Sequence, residues 1–359
     1  MNSAQFQLHA NIEQSHWWFT ARRRIVGRLV DELLGQGEAG DGSWETGGKA
    51  GNRGEAGDGR REAGGKAGNR GEAGDGRRET GGKAGVRGQG LGGRHVDDAT
   101  CNHLRSSGLQ ISNCKLSKPL IVDVGCGTGA NLAALANRYH CVGIDSSAEA
   151  IALAQARFPG VEFVRGFAPD DLGETARRAD LVMLNDVLEH VRDDFLLLSR
   201  ILAELQPGGF VLITVPADLA LWSRHDESFG HFRRYTTPRL EQLWADLPVK
   251  TRLLTHFNTR LYPVIRTIRQ VNRWRGRSAG AAGTDFAVPF GPVNQALEHI
   301  FAGESAVLLS ALRGRRRGYA RGASLLAVLE RLPGEIQARG KPVSLERDYY
   351  DPERNVYVN

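Results

Sequence analysis

Short apolar runs alternate with amphipathic stretches from residue 120 to residue 215. Runs of four to six residues, bounded by turn residues, predict strands over 120–124, 141–144, 161–164, 181–184 and 210–215. Apolar positions three or four apart predict helices between them, over 131–139, 148–158, 173–178 and 194–205. Strands that alternate with helices are typical of βαβ units and a parallel sheet. We therefore predict a doubly wound α/β domain whose ligand lies at the carboxyl ends of its strands.

Capping residues mark the ends of two of these helices. Ser146 and Glu149 fit a capping box at the start of helix 148–158. Pro207 and the two glycines after it end helix 194–205. The boundaries of these helices therefore follow from local sequence.

A further helix is predicted over residues 11–34, where Ile25, Leu29 and Leu33 form an apolar stripe. Its beginning has the sequence His-Trp-Trp-Phe at 16–19, followed closely by three arginines at 22–24. Aromatic residues in such a stripe usually pack against a core. The alternative is a lid whose aromatic and arginine side chains close over a bound ligand.

Residues 35–93 hold 23 of the 45 glycines and repeat with a period of 17 residues. The first two units are ETGGKAGNRGEAGDGRR and EAGGKAGNRGEAGDGRR. Their only apolar residue is alanine, so they cannot offset the entropy lost on ordering, and we predict a disordered segment. An arginine-glycine arm that binds nucleic acid is the alternative, but acids match bases and the repeats hold no aromatic residue.

Composition excludes several classes of protein. No run approaches the roughly 18 apolar residues of a membrane-spanning helix, and the first residues lack a secretory pattern. The four cysteines form no CxxC pair, which argues against a disulfide framework and suits a reducing cytosol. The net charge of +6 permits anionic partners without requiring nucleic acid. We expect a cytoplasmic protein.

The turn after the first predicted strand carries the clearest chemical signal. Gly125, Gly127 and Gly129 allow close approach of a ligand, and Asp145 follows at the end of the second strand, suited to ribose hydroxyls. This pattern leaves open a nicotinamide cofactor or another adenosyl ligand. Asp123 would oppose a pyrophosphate but favour a ligand that carries positive charge.

Four motifs in order resemble those of the class I S-adenosylmethionine (SAM)-dependent methyltransferases: VDVGCGTG, GIDSS, LVMLNDVLEHVRD and LQPGGFVLITVPA. Three further segments, HWWFTARRRIV, HDESFGHFRRYT and THFNTRLYP, resemble a bacterial subgroup of methyltransferases whose acceptors are unassigned and which occurs among cell-envelope and glycan enzymes. The resemblance implies SAM as cofactor and a small-molecule, glycan or lipid-linked acceptor. It also implies a Rossmann-like seven-stranded sheet with an antiparallel last strand. We assign residues 324–330 to that last strand and residues 252–256 to the strand before it.

The resemblance also implies the cofactor site residue by residue. Asp123 and the backbone of the glycine turn would hold the methionine half, Asp145 and Ser146 the ribose, and Phe167 and Ala168 the adenine. Two further residues, Asn185 and Asp186, would close the site below the methyl group. The whole predicted cofactor set is Asp123, Gly125, Cys126, Gly127, Gly129, Asp145, Ser146, Phe167, Ala168, Asn185 and Asp186. A capping carboxylate is the alternative role of Asp145.

Methyl transfer depends mainly on alignment, and a base is needed only when the acceptor must lose a proton. The candidates for this proton acceptor are His190, His225 and His231. The candidates for acceptor contacts are Trp17, Trp18, Arg234 and Tyr235. His190 could instead cap a helix, and Arg234 could be solvated at the surface. We expect no metal, because the segment from His225 to His231 is predicted as a loop and metal sites need rigid support.

Residues 247–284 contain eight basic residues and no acids, interleaved with apolar residues around Tyr262. We predict an amphipathic helix that packs on its own domain; the alternative is a helix on an anionic membrane face. Residues 16–19, residues 225–235 and this helix are predicted to form one acceptor pocket over the strand ends.

The predicted boundaries are 1–34 for the N-terminal helix, 35–93 for the repeats, 94–258 for the SAM-binding core, 259–321 for the basic helical insertion, 322–332 for the final strand and 333–359 for a tail. Three other functions stay open. A NAD(P)-dependent oxidoreductase fits the glycines but leaves the NDVLEHV motif unexplained. A nucleic-acid methyltransferase fits the basic residues, but after the fourth strand the chain lacks an Asn-Pro-Pro-aromatic motif. A scaffold without activity is disfavoured by Asp123 and Asp145.

Overall fold

The structure is a computed structural model that describes residues 3–35, 118–274, 288–345, 349–351 and 356–358. These residues belong to one compact unit of the chain. The 17-residue repeats, and with them the prediction of disorder, lie outside the described residues. Within the described part, no helix combines the length and apolar character needed to cross a membrane.

The N-terminal region forms two helices, α1 (Ser3–Ile12) and α2 (Trp17–Leu33). The prediction of one helix over 11–34 was therefore wrong. His16 has extended backbone geometry, and its side chain accepts a hydrogen bond from the backbone N–H of Trp18, which caps the start of α2. The predicted stripe is correct, since Ile25 and Leu29 are fully buried.

Seven strands form one mixed sheet in the order β3-β2-β1-β4-β5-β7-β6. The strands are β1 (Leu120–Val124), β2 (His140–Asp145), β3 (Glu162–Arg165), β4 (Leu181–Asn185), β5 (Phe210–Pro216), β6 (Val249–Phe257) and β7 (Ser324–Arg331). The first five are parallel, and β7 is antiparallel to both of its neighbours. The Rossmann-like α/β fold with an antiparallel last strand is thus confirmed. The strand order reverses between β1 and β4, which places a ligand crevice at their carboxyl ends.

Six helices accompany the first part of this sheet: α3 (Ala130–Ala133), α4 (Ala148–Arg157), α5 (Glu174–Arg178), α6 (Asp194–Glu204), α7 (Arg224–Ser228) and α8 (Thr237–Glu241). The predicted helix over 131–139 was too long. After Ala133 the chain continues in turns, where the N–H of Leu135 donates to the carbonyl of Leu132 and that of Arg138 to the carbonyl of Leu135. These tighter turns keep Leu132 and Leu135 in the core.

The capping box assigned to Ser146 and Glu149 was also wrong, by one residue. Ser147 caps α4, and its side chain accepts from the backbone N–H of Ala150. The reason is Asp145, whose carboxylate accepts from the N–H of Ser147 at 2.9 Å and holds the chain before the helix begins.

Three helices lie between β6 and β7: α9 (Tyr262–Trp274), α10 (Gly291–Ala302) and α11 (Ser305–Leu312). The side chain of Asn294 on α10 accepts from the backbone N–H of Trp17 and donates to the carbonyl of Ser15. The ring of Trp17 packs edge-on against Phe301 of the same helix. The insertion therefore fixes the start of α2. A C-terminal hairpin of β8 (Tyr349–Asp351) and β9 (Val356–Val358) was not predicted.

Alternate residues of the parallel strands form cores on both faces of the sheet, as the pleat requires. On one face, Ile121 and Met183 pack in a cluster with Leu29 of α2. On the other face, Val122 and Val182 pack in a cluster with residues of α6. Burial of both faces explains why the strands are nearly continuous apolar runs.

Candidate active site

The turn after β1 brings main-chain atoms to the edge of a large cavity. Gly125 and Gly127 have positive φ angles of 68° and 54°, which side chains of L residues rarely adopt. A Cβ atom at Gly125 would also lie 2.7 Å from a methyl group of Val187. The chain therefore needs glycine at position 125 to pass beside the segment after β4.

The cavity has a volume of about 1020 Å³ and opens at the carboxyl ends of β1, β2 and β4. That volume is at the upper end of the range for small-molecule and cofactor sites. Nine of the predicted cofactor residues line it: Gly125, Cys126, Gly127, Asp145, Ser146, Phe167, Ala168, Asn185 and Asp186. The side chain of Phe167 is 70% exposed and so offers an open aromatic surface.

Two predicted cofactor residues, Asp123 and Gly129, are absent from the described residues that line the cavity. Asp123 is buried behind Asn185, whose side-chain amide donates to it at 3.3 Å. Burial raises the pKa of Asp123 to about 7. Asn185 therefore lines the wall of the cavity in front of Asp123.

Asp145 supports the glycine turn. Its carboxylate accepts from the N–H of Gly127 at 3.0 Å and from the N–H of Ser147 at 2.9 Å. Asp145 therefore has a structural role in this turn, but the residue that caps α4 is Ser147. A carboxylate has about four lone-pair positions, so the same group keeps acceptor capacity toward the cavity.

The thiol of Cys126 lines the cavity without the features of a nucleophile. Its side chain is buried, and burial raises the pKa of the thiol well above its ordinary value. This agrees with the expectation that Cys126 is a small residue in a tight turn.

The HWWF segment contributes a wall to the same cavity, since Trp17, Trp18 and Phe19 all line it. Arg22, one turn further along α2, forms an ion pair with Asp186, and its guanidinium lies 4.3 Å from the centre of the Trp18 ring. The segment therefore both packs against the domain and lines the cavity. Sequence analysis noted the arginines at 22–24 but missed the pairing with Asp186, because no local signal links residues 164 positions apart.

Asp226 organises residues 225–234, which we call the histidine loop. The prediction of a loop from His225 was partly wrong, because His225 and Asp226 lie in α7 and only the residues after Ser228 leave the helix. Asp226 is fully buried, and its carboxylate contacts Nδ1 of His231 at 3.0 Å and the guanidinium of Arg234 at 2.9 Å. Burial alone would raise the pKa of Asp226, but Arg234 and His231 hold it well below its ordinary value. Asp226 is therefore ionised and fixes both partners.

All three histidine candidates, His190, His225 and His231, line the cavity. The rings of His190 and His231 lie 4.6 Å apart, nearly at a right angle. Burial, with the neighbouring His231, lowers the pKa of His190 to about 3. Burial also lowers the pKa of His225 well below its ordinary value. Both imidazoles are therefore neutral at neutral pH.

Glu189 is a site residue that sequence analysis did not single out. It is fully buried beside His190, and neither of its carboxylate oxygens has a hydrogen-bond partner among the described residues. Burial, with the nearby charge of Asp186, raises the pKa of Glu189 well above its ordinary value. Its place in the NDVLEHV motif was the only available signal.

The two remaining acceptor candidates have different environments. Tyr235 is fully buried outside the cavity, and its hydroxyl donates to Asp194 at 2.8 Å. It is therefore not an acceptor contact. Arg234 does line the cavity, but its guanidinium donates to the carbonyl of Ala217 and to Asp226, so its main role is to hold the loop.

Helix α9 completes the cavity through Ile265, Ile268 and Arg269. The three segments predicted to converge therefore line one cavity together with the glycine turn. Tyr262 itself lies in a separate, smaller cavity, where its hydroxyl donates to Asp218 at 2.6 Å. Of the apolar residues predicted to pack α9 on its own domain, Ile265 packs against the core, whereas Val264 is 56% exposed.

Part of the chain is similar to known methyltransferases. The family model described as a methyltransferase domain matches residues 102–256. The trans-aconitate 2-methyltransferase of Deinococcus radiodurans is 38% identical over 130 residues, which cover 33% of this chain and 49% of the relative. The enzyme of the same name from an Azoarcus species is 37% identical over 103 residues, which cover 27% of this chain and 38% of the relative. The chain spans half or less of the length of these two curated relatives.

Solved structures show only distant likeness. A SAM-dependent methyltransferase from Archaeoglobus fulgidus has a TM-score of 0.36 at 15% identity, covering 65% of this chain and 93% of that one. The plantazolicin methyltransferase BpumL, solved with S-adenosylhomocysteine (SAH), has a TM-score of 0.36 at 16% identity. The match covers 61% of this chain and 78% of that one. These two likenesses carry no argument about the acceptor. The family match therefore shows that residues 102–256, which are less than half of the chain, resemble a methyltransferase domain.

Proposed function

We propose that the protein is a SAM-dependent methyltransferase that methylates a small acceptor, either free or linked to a glycan or lipid. One observation carries the proposal: the residues predicted for the cofactor and those predicted for the acceptor line a single cavity of about 1020 Å³. Methyl transfer needs the nucleophile, methyl carbon and sulfur in line, and one shared cavity supplies that arrangement.

The cofactor half of the cavity would hold SAM by the glycine turn and the end of β2. The free lone pairs of Asp145 would accept from the ribose hydroxyls, and the exposed ring of Phe167 would cover the adenine. Asn185 and Asp186 would lie below the methyl group. Arg22 holds Asp186 in place through their ion pair.

The acceptor half would be formed by the HWWF segment, the histidine loop and α9. Apolar walls from Trp18 and Phe229 alternate there with imidazole and guanidinium groups. Such a mixture suits a small polar molecule better than a large apolar one. The curated relatives are named for a small acceptor, trans-aconitate, which supports the same size class.

The HWWF-type bacterial subgroup remains part of the proposal, and with it a glycan or lipid-linked acceptor. What supports it is that all three of its motifs contribute cavity walls, around Trp17, around His231 and at Asn258. The third motif leads into α9, whose Ile265 lines the cavity as well.

The reaction would move the methyl carbon from the sulfonium to the acceptor nucleophile. The carbon–sulfur bond breaks with its electron pair left on sulfur, which yields SAH, and a bond from the methyl carbon to the acceptor forms. Positioning can supply on the order of 7–11 kcal/mol of the barrier reduction. A hydroxyl acceptor must also lose a proton, and the group of His190, His225 and His231 is placed to assist that loss.

The test combines binding with transfer. Calorimetry should show that the protein binds SAM and not NAD, and labelled SAM should transfer its methyl group to a small-molecule or lipid fraction of a cell extract. Binding of NAD in preference to SAM would refute the proposal in favour of an oxidoreductase. Transfer into a nucleic-acid fraction alone would refute the acceptor class.

A further inference from the structure

We propose that Glu189, His190 and His231 bind a divalent transition-metal ion at the wall of the cavity. We further propose that this ion takes the acceptor oxygen as an additional ligand. The second statement rests on the proposed function, whereas the first depends only on the geometry of these three residues.

The three side chains are close enough to share one ion. One potential ligand atom from each lies within 4.8 Å of the others. Two ligands that each lie about 2.1 Å from a metal ion can be at most about 4.2 Å apart. Side-chain movements of less than about 1 Å would therefore bring all three into coordination distance.

The carboxylate of Glu189 is otherwise unexplained. It is fully buried, and both of its oxygens lack a hydrogen-bond partner among the described residues. A buried carboxylate in that condition costs several kcal/mol unless a proton or a cation compensates for it. The backbone of Glu189 is fixed, because its carbonyl accepts from the N–H of Phe232 at 2.7 Å. Its side chain is thus held at the meeting point of the two imidazoles.

Both histidines are oriented by groups behind them. Nδ1 of His231 contacts the ionised Asp226 at 3.0 Å, so Nδ1 carries the proton and Nε2 keeps the lone pair that a metal requires. A carboxylate behind a metal-binding histidine is the usual supporting arrangement at such sites. The ring of His190 hydrogen-bonds to the backbone of Phe229, which leaves its other nitrogen for the ion.

The donor set indicates the class of metal. Two imidazole nitrogens and one carboxylate suit Zn²⁺, Fe²⁺ or Mn²⁺, whereas Mg²⁺ and Ca²⁺ prefer oxygen ligands alone. All three residues line the cavity, so the remaining coordination positions face the proposed acceptor. The expectation of no metal considered only the segment from His225 to His231 and overlooked the two ligands that follow β4.

A metal ion would change how the acceptor loses its proton. A hydroxyl oxygen bound to the ion releases its proton to water more readily, because the ion stabilises the oxyanion. The oxyanion then attacks the methyl carbon, and the electron pair of the carbon–sulfur bond stays on sulfur. In this arrangement His231 acts as a ligand and not as the direct proton acceptor.

The test is a calorimetric titration of tag-free, chelator-treated full-length protein with Zn²⁺. The wild type should bind one ion per chain, and Mg²⁺ should bind far more weakly. The isosteric variant Glu189→Gln and the variant His231→Ala should each weaken Zn²⁺ binding by at least about 100-fold, since even supporting groups behind ligands are worth 10–100-fold. The matched control is His140→Ala, an exposed histidine on β2, which should bind Zn²⁺ like the wild type.

Each sample is also titrated with SAM without metal, and its thermal unfolding is recorded. The metal site is refuted if the wild type does not bind Zn²⁺, or if both site variants bind Zn²⁺ as tightly as the wild type does. If SAM still binds in that case, the methyltransferase proposal stands and the histidine group acts on the proton directly. If Zn²⁺ binds but SAM does not, the proposed function fails while the metal site stands. Should Glu189→Gln unfold, His231→Ala and His190→Gln decide the question.

Discussion

The two halves of the cavity are built in different ways. The cofactor half comes from the ends of adjacent parallel strands, and its residues lie within short motifs of the sequence. The acceptor half comes from α2, the histidine loop and α9, which are separated by up to about 250 residues along the chain. A site at a strand-order switch point is determined by the fold, whereas the opposite wall depends on helices and loops added around it. Substitutions in the two halves should therefore affect different steps.

The largest effect should follow the change His231→Ala in the acceptor half. We expect turnover to fall by about 10²–10⁴-fold, because the variant loses either the proton acceptor or a ligand of the proposed ion. SAM affinity should stay nearly constant, since His231 contacts Asp226 and His190 and not the glycine turn. Steady-state kinetics together with SAM calorimetry check both parts, and a large loss of SAM affinity would contradict the separation of the halves.

The change Asp123→Asn tests the wall behind the cofactor half. Burial raises the folded-state pKa of Asp123 to about 7, above the ordinary value of 3.8. The folded protein therefore binds this proton more tightly than the unfolded chain does. As a result, Asp123 makes the free energy of unfolding fall as the pH rises from about 4 to about 7. The variant should be more stable than the wild type at pH 8, by up to about 4 kcal/mol, and nearly equal at pH 4. Chemical unfolding at both pH values measures the difference; equal stability at pH 8 would mean that Asp123 is ionised without cost.

The change Asp145→Ala affects the cofactor half alone. It removes acceptors from the N–H groups of Gly127 and Ser147 as well as the proposed ribose contact. SAM binding should weaken by roughly 1–3 kcal/mol. The matched control is Asp246→Ala, whose side chain is 84% exposed and does not line the cavity. Calorimetry that finds the same affinity in both variants would remove Asp145 from the cofactor site.

The smallest effect should follow deletion of residues 47–82, which lie within the glycine-rich repeats. Thermal stability and SAM affinity should hardly change, because the entropy of closing a flexible loop varies only with the logarithm of its length. Calorimetry of the deletion variant checks this. A large fall in melting temperature would show that the repeats contribute folded structure.

Local patterns predicted the parallel strands and the glycine turn, whereas the antiparallel last strand and most of the cofactor half came from the resemblance to methyltransferases. Apolar runs gave the parallel strands to within about two residues, and the glycine spacing located the turn after β1. Errors of one residue arose where side chains decide a boundary, as when Asp145 moved the cap of α4 to Ser147. The burial of Asp123 could not be predicted locally, because it is a property of the assembled sheet.

The segments that form the acceptor half could be predicted from the sequence, but the contacts between their side chains could not. The convergence of the three segments followed from topology, since additions after the strands gather over their carboxyl ends. The pairing of Arg22 with Asp186 and of Tyr235 with Asp194 joins distant positions that no local pattern relates. Glu189 was missed for the same reason, because its burial between two histidines depends on the loop that follows α7.

The central claim is that one cavity holds the cofactor on one side and the acceptor on the other. The most direct measurement is methyl transfer by the wild type, Asp145→Ala and His231→Ala as a function of SAM concentration. We predict that saturating SAM restores most of the activity of Asp145→Ala but none of the activity that His231→Ala has lost. If saturating SAM restored the activity of His231→Ala instead, or if neither variant differed in activity from the wild type, the division of the cavity into two halves would be wrong.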